Sequence, residues 1–259
     1  MAARYLLLLL LRVAGGILQV HGQSPPLAMC SYASFISIDC GLPRETGYLD
    51  DTTKLPYVPD AGFIDAGTNR NISPEYKAGK SWGNVRSFPD GVRNCYTLRS
   101  LVAGLKYLIR AKFMHGNYDG LNMWPIFDIH IDVNYWQTVT IEYGDKPEIA
   151  EIITVISSDS VQVCLINTGS GTPFISSLEV RPLKNKLYPQ SGKSQALVLA
   201  FRANVGSDES IRYPDDPHDR IWVEWSARPE WLPISTTNKV HNNVTDFFEV
   251  PSAVMQTGI

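Results

Sequence analysis

The stretch S-F-P-D-G-V-R-N-C-Y-T-L, at Ser87–Leu98, is followed by K-Y-L-I-R-A-K-F at Lys106–Phe113 and F-D-I-H-I-D-V at Phe127–Val133. In the two later segments, β-branched and aromatic residues alternate with polar ones with a period of two, which predicts strands. Between them lies the Gly- and Asn-rich loop H-G-N-Y-D-G-L-N-M-W-P at His115–Pro125. Loops held by a rigid sheet commonly carry binding residues. We therefore expect this region to serve recognition rather than catalysis.

The same alternation assigns an inner and an outer face to each strand. Residues predicted to face the core are Tyr107, Ile109, Ala111 and Phe113 in the first strand, and Phe127, Ile129, Ile131 and Val133 in the second. Residues predicted to face solvent are Lys106, Arg110 and Lys112 in the first strand, and Asp128, His130 and Asp132 in the second. Pairing of this basic face with this acidic face across one sheet would contribute about 0.2–1 kcal/mol per exposed contact.

Short strands are predicted along most of the chain. Besides the two above, they cover Phe35–Asp39, Cys95–Arg99, Thr138–Glu142, Glu151–Ile156, Val161–Ile166 and Ile175–Arg181. Turn sequences such as P-D-G and S-S-D-S separate them, and no stretch shows the apolar stripe of a helix. Repeated strands without helical crossovers predict an all-β protein, an antiparallel β-sandwich or jelly roll.

The N-terminus has the layout of a secretory signal peptide. Arg4 precedes the apolar run Leu6–Leu11, and small residues follow up to Gly22. A membrane span is the alternative, but Arg12 interrupts the run well before the ~20 residues that a spanning helix needs. We expect residues 1–22 to be a signal peptide. The net charge is −3 and the sequence contains no dense cluster of Lys and Arg residues, so nucleic acid is not an expected partner.

Secretion changes the expected role of the four cysteines. In an oxidising compartment we expect one or two disulfides among Cys30, Cys40, Cys95 and Cys164. Three ways of pairing all four cysteines remain open. Their spacing does not fit a metal site, and no metal or cofactor is expected. The sequons at Asn71 and Asn243 are predicted glycosylation sites.

Two acidic clusters are candidates for chemistry. Asp128, His130 and Asp132 alternate along one strand, where residues two apart lie about 6.6 Å from each other, too far for all three to hold one ion. Asp215, Asp216, His218 and Asp219 lack the order of a calcium loop, and we expect a turn whose carboxylates bind backbone amides and Arg212 or Arg220. The chain shows no G-x-S-x-G, H-R-D or D-F-G motif, so no enzyme activity is expected.

The loop at His115–Pro125, which follows the predicted strand Lys106–Phe113, contains the candidate ligand residues. They are Asn117, Tyr118, Asp119, Asn122 and Trp124. Sugars present apolar faces and dense hydroxyl groups, so aromatic rings with amide and carboxylate side chains suit carbohydrate binding. In the alternative, the two aromatic residues pack onto their own scaffold and the polar residues form turns.

Several blocks carry a resemblance to a known family. They are F-I-S-I-D-C-G-L-P at Phe35–Pro43, N-I-S-P-E-Y at Asn71–Tyr76, the stretch at Ser87–Val133 and V-Q-V-C-L-I-N-T-G-S-G-T-P-F-I-S-S-L-E-V-R-P-L at Val161–Leu183. Together they resemble the malectin-like extracellular region of plant leucine-rich-repeat receptor-like kinases. The resemblance implies the same jelly-roll fold. Cys30 lies upstream of the resembling blocks, so we expect it to be the unpaired thiol if one is unpaired.

The family usually carries two malectin-like modules in tandem, followed by repeats, a membrane span and a kinase domain. We expect a signal peptide at 1–22, a malectin-like sandwich at 34–183, a linker at 184–195 and a partial second module at 196–259. The last 64 residues are too few for a second sandwich, so strand edges and half a core should be exposed. Membrane association would depend on a C-terminal span missing from this chain.

These observations favour a non-catalytic recognition module that is secreted or displayed at the plasma membrane. By resemblance, it would sense cell-wall carbohydrate, a peptide or a partner receptor, with a co-receptor as a further partner. The alternative is a stand-alone secreted lectin or decoy that binds glycans. An extracellular carbohydrate-active enzyme is disfavoured, because no suitably isolated carboxylate pair is present.

Overall fold

The computed structural model describes residues 35–43, 45–76, 79–226, 230–243 and 245–259. In chain order the strands are β1 (Ile36–Asp39), β2 (Tyr48–Leu49), β3 (Pro56–Pro59), β4 (Thr68–Asn71), β5 (Asn84–Ser87), β6 (Arg93–Leu98), β7 (Lys106–Phe113), β8 (Ile126–Ile131), β9 (Asn134–Thr140), β10 (Glu148–Val155), β11 (Val161–Ser170), β12 (Phe174–Ile175), β13 (Ser177–Leu183), β14 (Leu197–Val198), β15 (Ala203–Val205), β16 (Val223–Trp225), β17 (Ile234–Ser235) and β18 (Thr257–Gly258). Within the described residues, helical structure is limited to 3₁₀ turns at Asp60–Gly62 and Lys80–Trp82 and the short helix α1 at Ser252–Met255. The predicted signal peptide and Cys30 lie outside the described residues.

The strands form two main sheets. A seven-stranded sheet has the order β14-β10-β7-β13-β1-β3-β2, and a four-stranded sheet has the order β6-β11-β8-β9. A third sheet, β12-β5-β4, adds three strands. Most neighbours are antiparallel, whereas β1–β3 and β15–β16 are parallel. The all-β, antiparallel sandwich predicted from the sequence is confirmed.

The core lies between the inner faces of β7 and β8. The predicted inner residues of β7 and the first three of β8 are buried. The Phe113 and Phe127 rings, one from each sheet, meet edge to face at 5.6 Å. Val133 is the exception to the prediction, with 82% of its surface exposed. Strand β8 ends at Ile131, and Asp132, at φ +50°, begins a hairpin turn that carries Val133 at its tip.

The prediction for the outer face of β7 is wrong. Lys106, Arg110 and Lys112 are buried, with 3%, 0% and 1% exposure. Strands β7 and β8 belong to different sheets, so the acidic residues of β8 are not its neighbours. Instead, Arg110 contacts Glu151 on β10 at 2.9 Å and Glu179 on β13 at 2.6 Å. Charged residues on three adjacent strands therefore form a buried ionic layer on the outer side of the seven-stranded sheet.

The C-terminal part of the chain covers this ionic layer. Asp219 accepts hydrogen bonds from Arg181 Nε at 2.7 Å and from Arg212 Nη2 at 2.8 Å. The main-chain oxygen of Asp219 accepts another from Arg110 Nη2 at 2.6 Å. Arg202 reaches Glu151 at 2.6 Å. The outer face of β7 is therefore charged because a second layer of polypeptide binds it, and not because it faces water.

Residues 184–195, predicted as a linker, contact the sandwich through Leu187 and Ser191, which are buried, while most of the segment is exposed. Leu187 is fully buried, and Lys106 Nζ donates hydrogen bonds to the main-chain oxygens of Leu187 and Tyr188. The segment after it adds β14 to the edge of the seven-stranded sheet beside β10. The described residues from 35 to 259 belong to one compact unit. Large apolar side chains exposed in its C-terminal part include Phe201, Trp225, Leu232, Ile234 and Phe247.

One disulfide joins Cys95 on β6 to Cys164 on β11, where the two residues face each other in the antiparallel register. Cys40 is fully buried and has a free thiol. Burial raises the pKa of the Cys40 thiol well above its usual value. Cys40 is thus a free thiol that the structure describes. The expectation that Cys30 is unpaired stays a prediction, because Cys30 lies outside the described residues.

Candidate functional site

The loop between β7 and β8 connects the two main sheets and has an unusual backbone. Gly116, Asn117, Gly120 and Asn122 all have positive φ angles, between +46° and +73°. Gly and Asn tolerate this conformation better than other residues. At Gly116 a Cβ atom would lie 2.5 Å from the side chain of Ile72, so a larger residue does not fit there. The sequence H-G-N-Y-D-G-L-N thus specifies the shape of the loop.

The polar residues predicted to bind ligand also hold the loop together. Asn117 Oδ1 accepts a hydrogen bond from the main-chain amide of Asn122 at 2.9 Å, and Asp119 Oδ1 accepts one from the main-chain amide of Leu121 at 3.0 Å. Asp119 and Asn122 are exposed, whereas Asn117 is half-buried. The loop therefore presents a polar rim whose conformation is fixed by its own side chains.

The two predicted aromatic residues are half-buried and pack on the scaffold. The Tyr118 ring lies 4.7 Å from His115 and 5.3 Å from Phe174, and its hydroxyl accepts a hydrogen bond from Ser87. Burial raises the pKa of Tyr118 to about 12, so its phenol is neutral. The Trp124 ring meets His115 edge-on at 5.0 Å. Tyr118 thus packs between His115 and Phe174, whereas Trp124 contacts His115 and also lines a cleft beside the loop.

An apolar cleft lies beside this loop, and the sequence reasoning did not identify it. It encloses about 330 Å³ between residues 119–126 and the turn at 169–172. Leu121, Met123 and Ile126 line one wall with exposures of 66%, 69% and 40%. The sequence contains one sign of this cleft, which is the presence of Leu121 and Met123 in a loop with many polar residues.

The opposite wall of the cleft is the turn at the end of β11. Gly169 and Gly171 have φ angles of +87° and +92°. A Cβ atom at Gly171 would lie 2.8 Å from Pro125, so glycine permits the two walls to approach each other.

His115 lies behind the loop. It is 1% exposed, and neither ring nitrogen has a hydrogen-bond partner among the described residues. Its Nε2 atom is 3.9 Å from the carboxylate of Asp119, which is at the edge of the cleft. Burial lowers the pKa of His115, and the Asp119 charge opposes this only in part.

The other acidic clusters are used within the fold. Asp128 accepts a hydrogen bond from the Thr138 hydroxyl at 2.6 Å, and Asp132 accepts one from the main-chain amide of Gln162 at 2.9 Å. Asp216 binds Arg220 at 2.7 Å, as the sequence predicted for this turn. In the part of the chain that the structure describes, no group of three or more His, Cys, Asp or Glu residues is arranged to hold a metal ion.

Both predicted glycosylation sites are accessible. Asn71 is exposed on β4, which is the edge strand of the three-stranded sheet. Asn243 is exposed as well, and its Oδ1 atom accepts a hydrogen bond from the Thr245 amide at 3.3 Å.

Comparison with known proteins adds to this geometry. The family model described as the malectin-like domain matches residues 38–259. The chain belongs to the malectin-like family. The match begins in β1 and runs through both main sheets and the C-terminal segment that covers the ionic layer.

Relatives within this malectin-like family include receptor kinases of Arabidopsis thaliana. The chain is 38% identical over 257 residues to the LRR receptor-like serine/threonine-protein kinase IOS1, covering 97% of this chain and 27% of that protein. It is 43% identical over 212 residues to the probable LRR receptor-like kinase MEE39, covering 80% of this chain and 24% of that protein. The chain thus spans about a quarter of the length of the curated relatives it matches.

Solved malectin-like structures share the fold. A structure of the plant receptor-like kinase FER matches with a TM-score of 0.68 at 16% identity, over 86% of this chain and 64% of that one. The ANX2 ectodomain from Arabidopsis thaliana matches with a TM-score of 0.66 at 17% identity, with the same coverage. Within the described ranges, no helix has the length and apolar character needed to cross a membrane.

Proposed function

We propose that this chain is the extracellular recognition region of a receptor-like-kinase-type protein and that its ligand binds in the cleft beside the 115–126 loop. The exposed apolar wall formed by Leu121, Met123 and Ile126 carries the proposal. Exposed apolar residues that cluster in a concave site are typical of binding surfaces. The receptor-kinase relatives support a location at the cell surface. In this proposal the module has no catalytic role.

The shape and chemistry of the cleft favour a peptide or protein segment over a sugar. Leucine and methionine side chains are flexible and suit aliphatic partners, and methionine is common at adaptable binding surfaces. Sugars stack on flat aromatic faces. The Tyr118 ring packs against His115 and Phe174, and Trp124 is the one aromatic residue among the described residues that line the cleft. A solved complex of FER contains the plant peptide RALF23 and LLG2. By analogy, we propose a peptide ligand and a co-receptor for this chain.

A glycan ligand remains the second candidate function. The rim residues Asn117, Asp119 and Asn122 supply amide and carboxylate groups suited to hydroxyl binding, as the sequence predicts. In this alternative the chain acts as a secreted lectin or decoy. The receptor-kinase relatives favour the first candidate.

The module organisation and the glycans belong to the same proposal. We propose a malectin-like sandwich at 34–183, a connection at 184–195 and the beginning of a second module at 196–259. The small sheets β15–β16 and β17–β18, which are separate from the main sheets, support this division. N-linked glycans at Asn71 and Asn243 fit the exposure of both residues.

Binding to two arrays tests the function. One array presents synthetic linear peptides rich in Leu, Ile and Met, and the other presents plant cell-wall oligosaccharides. We expect peptide binding by the purified chain and a loss of at least about tenfold in affinity for Met123→Glu, which is about 1.4 kcal/mol. Val133→Glu is the matched control, because Val133 is also an exposed apolar residue in a turn and lies at the β8–β9 hairpin.

Two results would contradict the proposal. Met123→Glu binding peptides as tightly as wild type would remove the cleft as the site. Binding to oligosaccharides alone, unaffected by Met123→Glu, would support the lectin alternative.

A further inference from the structure

His115 is the most unusual polar residue beside the cleft. Its imidazole is buried, and both of its ring nitrogens lack hydrogen-bond partners among the described residues. Buried polar side-chain atoms nearly always have a partner, so an exception calls for an explanation. Here the exception lies directly behind residues that line the cleft.

The surroundings of His115 contain one nearby charge. Three aromatic rings enclose the imidazole: Tyr118 at 4.7 Å, Trp124 at 5.0 Å and Phe174 at 5.2 Å. The Tyr118 phenol is neutral and bound to Ser87, and the other two rings do not titrate. The Asp119 carboxylate, 3.9 Å from Nε2, is the charged group that acts on His115.

The distance to Asp119 is too long for a hydrogen bond but short enough to close by a small rotation. A neutral imidazole tolerates its apolar surroundings. An imidazolium is strongly disfavoured there unless a carboxylate pairs with it. Uptake of a proton by His115 therefore attracts Asp119 toward Nε2.

This movement would be transmitted to the cleft. Asp119 Oδ1 accepts the hydrogen bond of the Leu121 amide at 3.0 Å, and Leu121 forms part of the apolar wall. The other carboxylate oxygen, Oδ2, faces His115 Nε2, so a rotation that brings Oδ2 closer to His115 also moves Oδ1 and changes the geometry of the Leu121 bond. The position of Leu121 then depends on the protonation of a residue behind the loop.

We propose that His115 and Asp119 form a proton-operated latch behind the cleft, which repositions the Leu121 wall when His115 becomes protonated. The latch rests on the proposed function only in that the cleft is taken as the ligand site. Acidification then changes the affinity of the site for its ligand through His115.

NMR titration of the ligand-free chain between pH 4.5 and 8 tests the latch. We expect the His115 ring to titrate with a midpoint below 6.5, and the Leu121 amide signal to shift with the same midpoint. Asp119→Asn keeps the side-chain oxygen that accepts from Leu121 but removes the charge. In this variant we expect a lower His115 midpoint and no coupled shift at Leu121.

His130→Gln is the matched control, because His130 also has a buried ring nitrogen without a partner among the described residues. It should leave both the His115 midpoint and the Leu121 shift unchanged. Three results would overturn the latch: a Leu121 signal that does not follow His115, a midpoint unchanged in Asp119→Asn, or a His115 ring that does not titrate in this range. The titration uses the ligand-free chain, so its results do not bear on the binding proposal. Failure of the array experiment would likewise not change the interpretation of the titration.

Discussion

Replacement of Asp219 by asparagine should strongly destabilise the protein. Asp219 is fully buried and binds Arg181 Nε at 2.7 Å, Arg212 Nε at 2.9 Å and Arg212 Nη2 at 2.8 Å. Asparagine has nearly the same shape but no charge, so Arg181 and Arg212 lose one of their two carboxylate partners and keep only Glu179, at 3.3 Å from each. Removing one partner of a buried ion pair costs about 3–5 kcal/mol. For a protein of this size, that free energy lowers Tm by about 6–20 °C.

Chemical unfolding in urea, followed by tryptophan fluorescence, measures this effect. The matched control is Asp51→Asn, because Asp51 pairs with Lys80 at 2.9 Å with 75% of the Asp51 side chain exposed. Exposed pairs contribute about 0–1 kcal/mol, so the control should change stability little. A free energy of unfolding for Asp219→Asn within about 0.5 kcal/mol of wild type would refute the reasoning, since surface substitutions fall in that range.

The same carboxylate sets a pH dependence. Burial alone would raise the pKa of Asp219, but the guanidinium groups of Arg181, Arg212 and Arg110 outweigh burial and hold it at about 2. The ordinary pKa of an aspartate side chain, which applies to the unfolded chain, is 3.8. Its contribution is therefore fully present well above pH 3.8 and is lost as the pH falls from about 4 to 2. The stability difference between wild type and Asp219→Asn should shrink over this window, and a constant difference would contradict the assignment.

Three further predictions concern other features of the chain. Replacing both Cys95 and Cys164 by serine should lower the free energy of unfolding by about 2–4 kcal/mol in urea, because the disulfide restricts the unfolded chain; an unchanged midpoint would contradict it. Gly171→Ala should cost about 1–3 kcal/mol, since its φ is +92° and a Cβ would collide with Pro125; a Tm equal to wild type would show that the turn adapts. Asn71→Gln should remove the mass of one glycan from the protein secreted by plant cells, and an unchanged mass would rule out modification at this exposed asparagine.

Local alternation was sufficient to predict the sandwich and most of its core. In β7, Ile109, Ala111 and Phe113 alternate with charged residues, and all three are in the core between the sheets. This works because side-chain direction in a strand depends only on position along it. The failure at Val133 arises from a turn that begins one residue before it.

The ionic layer could not be predicted from the same pattern. Lysine and arginine on alternate positions of a strand look the same whether they face water or another layer of protein. Arg110 meets the main chain of Asp219, which is 109 residues away in sequence. Only the tertiary arrangement shows that the residues around Asp219 cover this face. The turn at Asp216 was predicted correctly because its partner Arg220 is four residues away.

The sequence pointed to the loop at 115–125 but not to the details of its structure, and ligand binding there stays a prediction. The loop was identified from its glycines, asparagines and aromatic residues. Within it, the roles of Asn117 and Asp119 as acceptors for loop amides depend on backbone angles that alternation does not specify. The apolar wall was missed because Leu121 and Met123 had no periodic pattern, and its partner turn at 169–172 is distant in sequence.

Hydrogen–deuterium exchange of the purified chain, with and without a peptide selected from the array, tests the binding proposal most directly. The proposal predicts that the peptide protects the amides of residues 119–126 and 169–172, which form the two walls of the cleft. Protection confined to other parts of the chain, with both walls exchanging as fast as in the free protein, would contradict it.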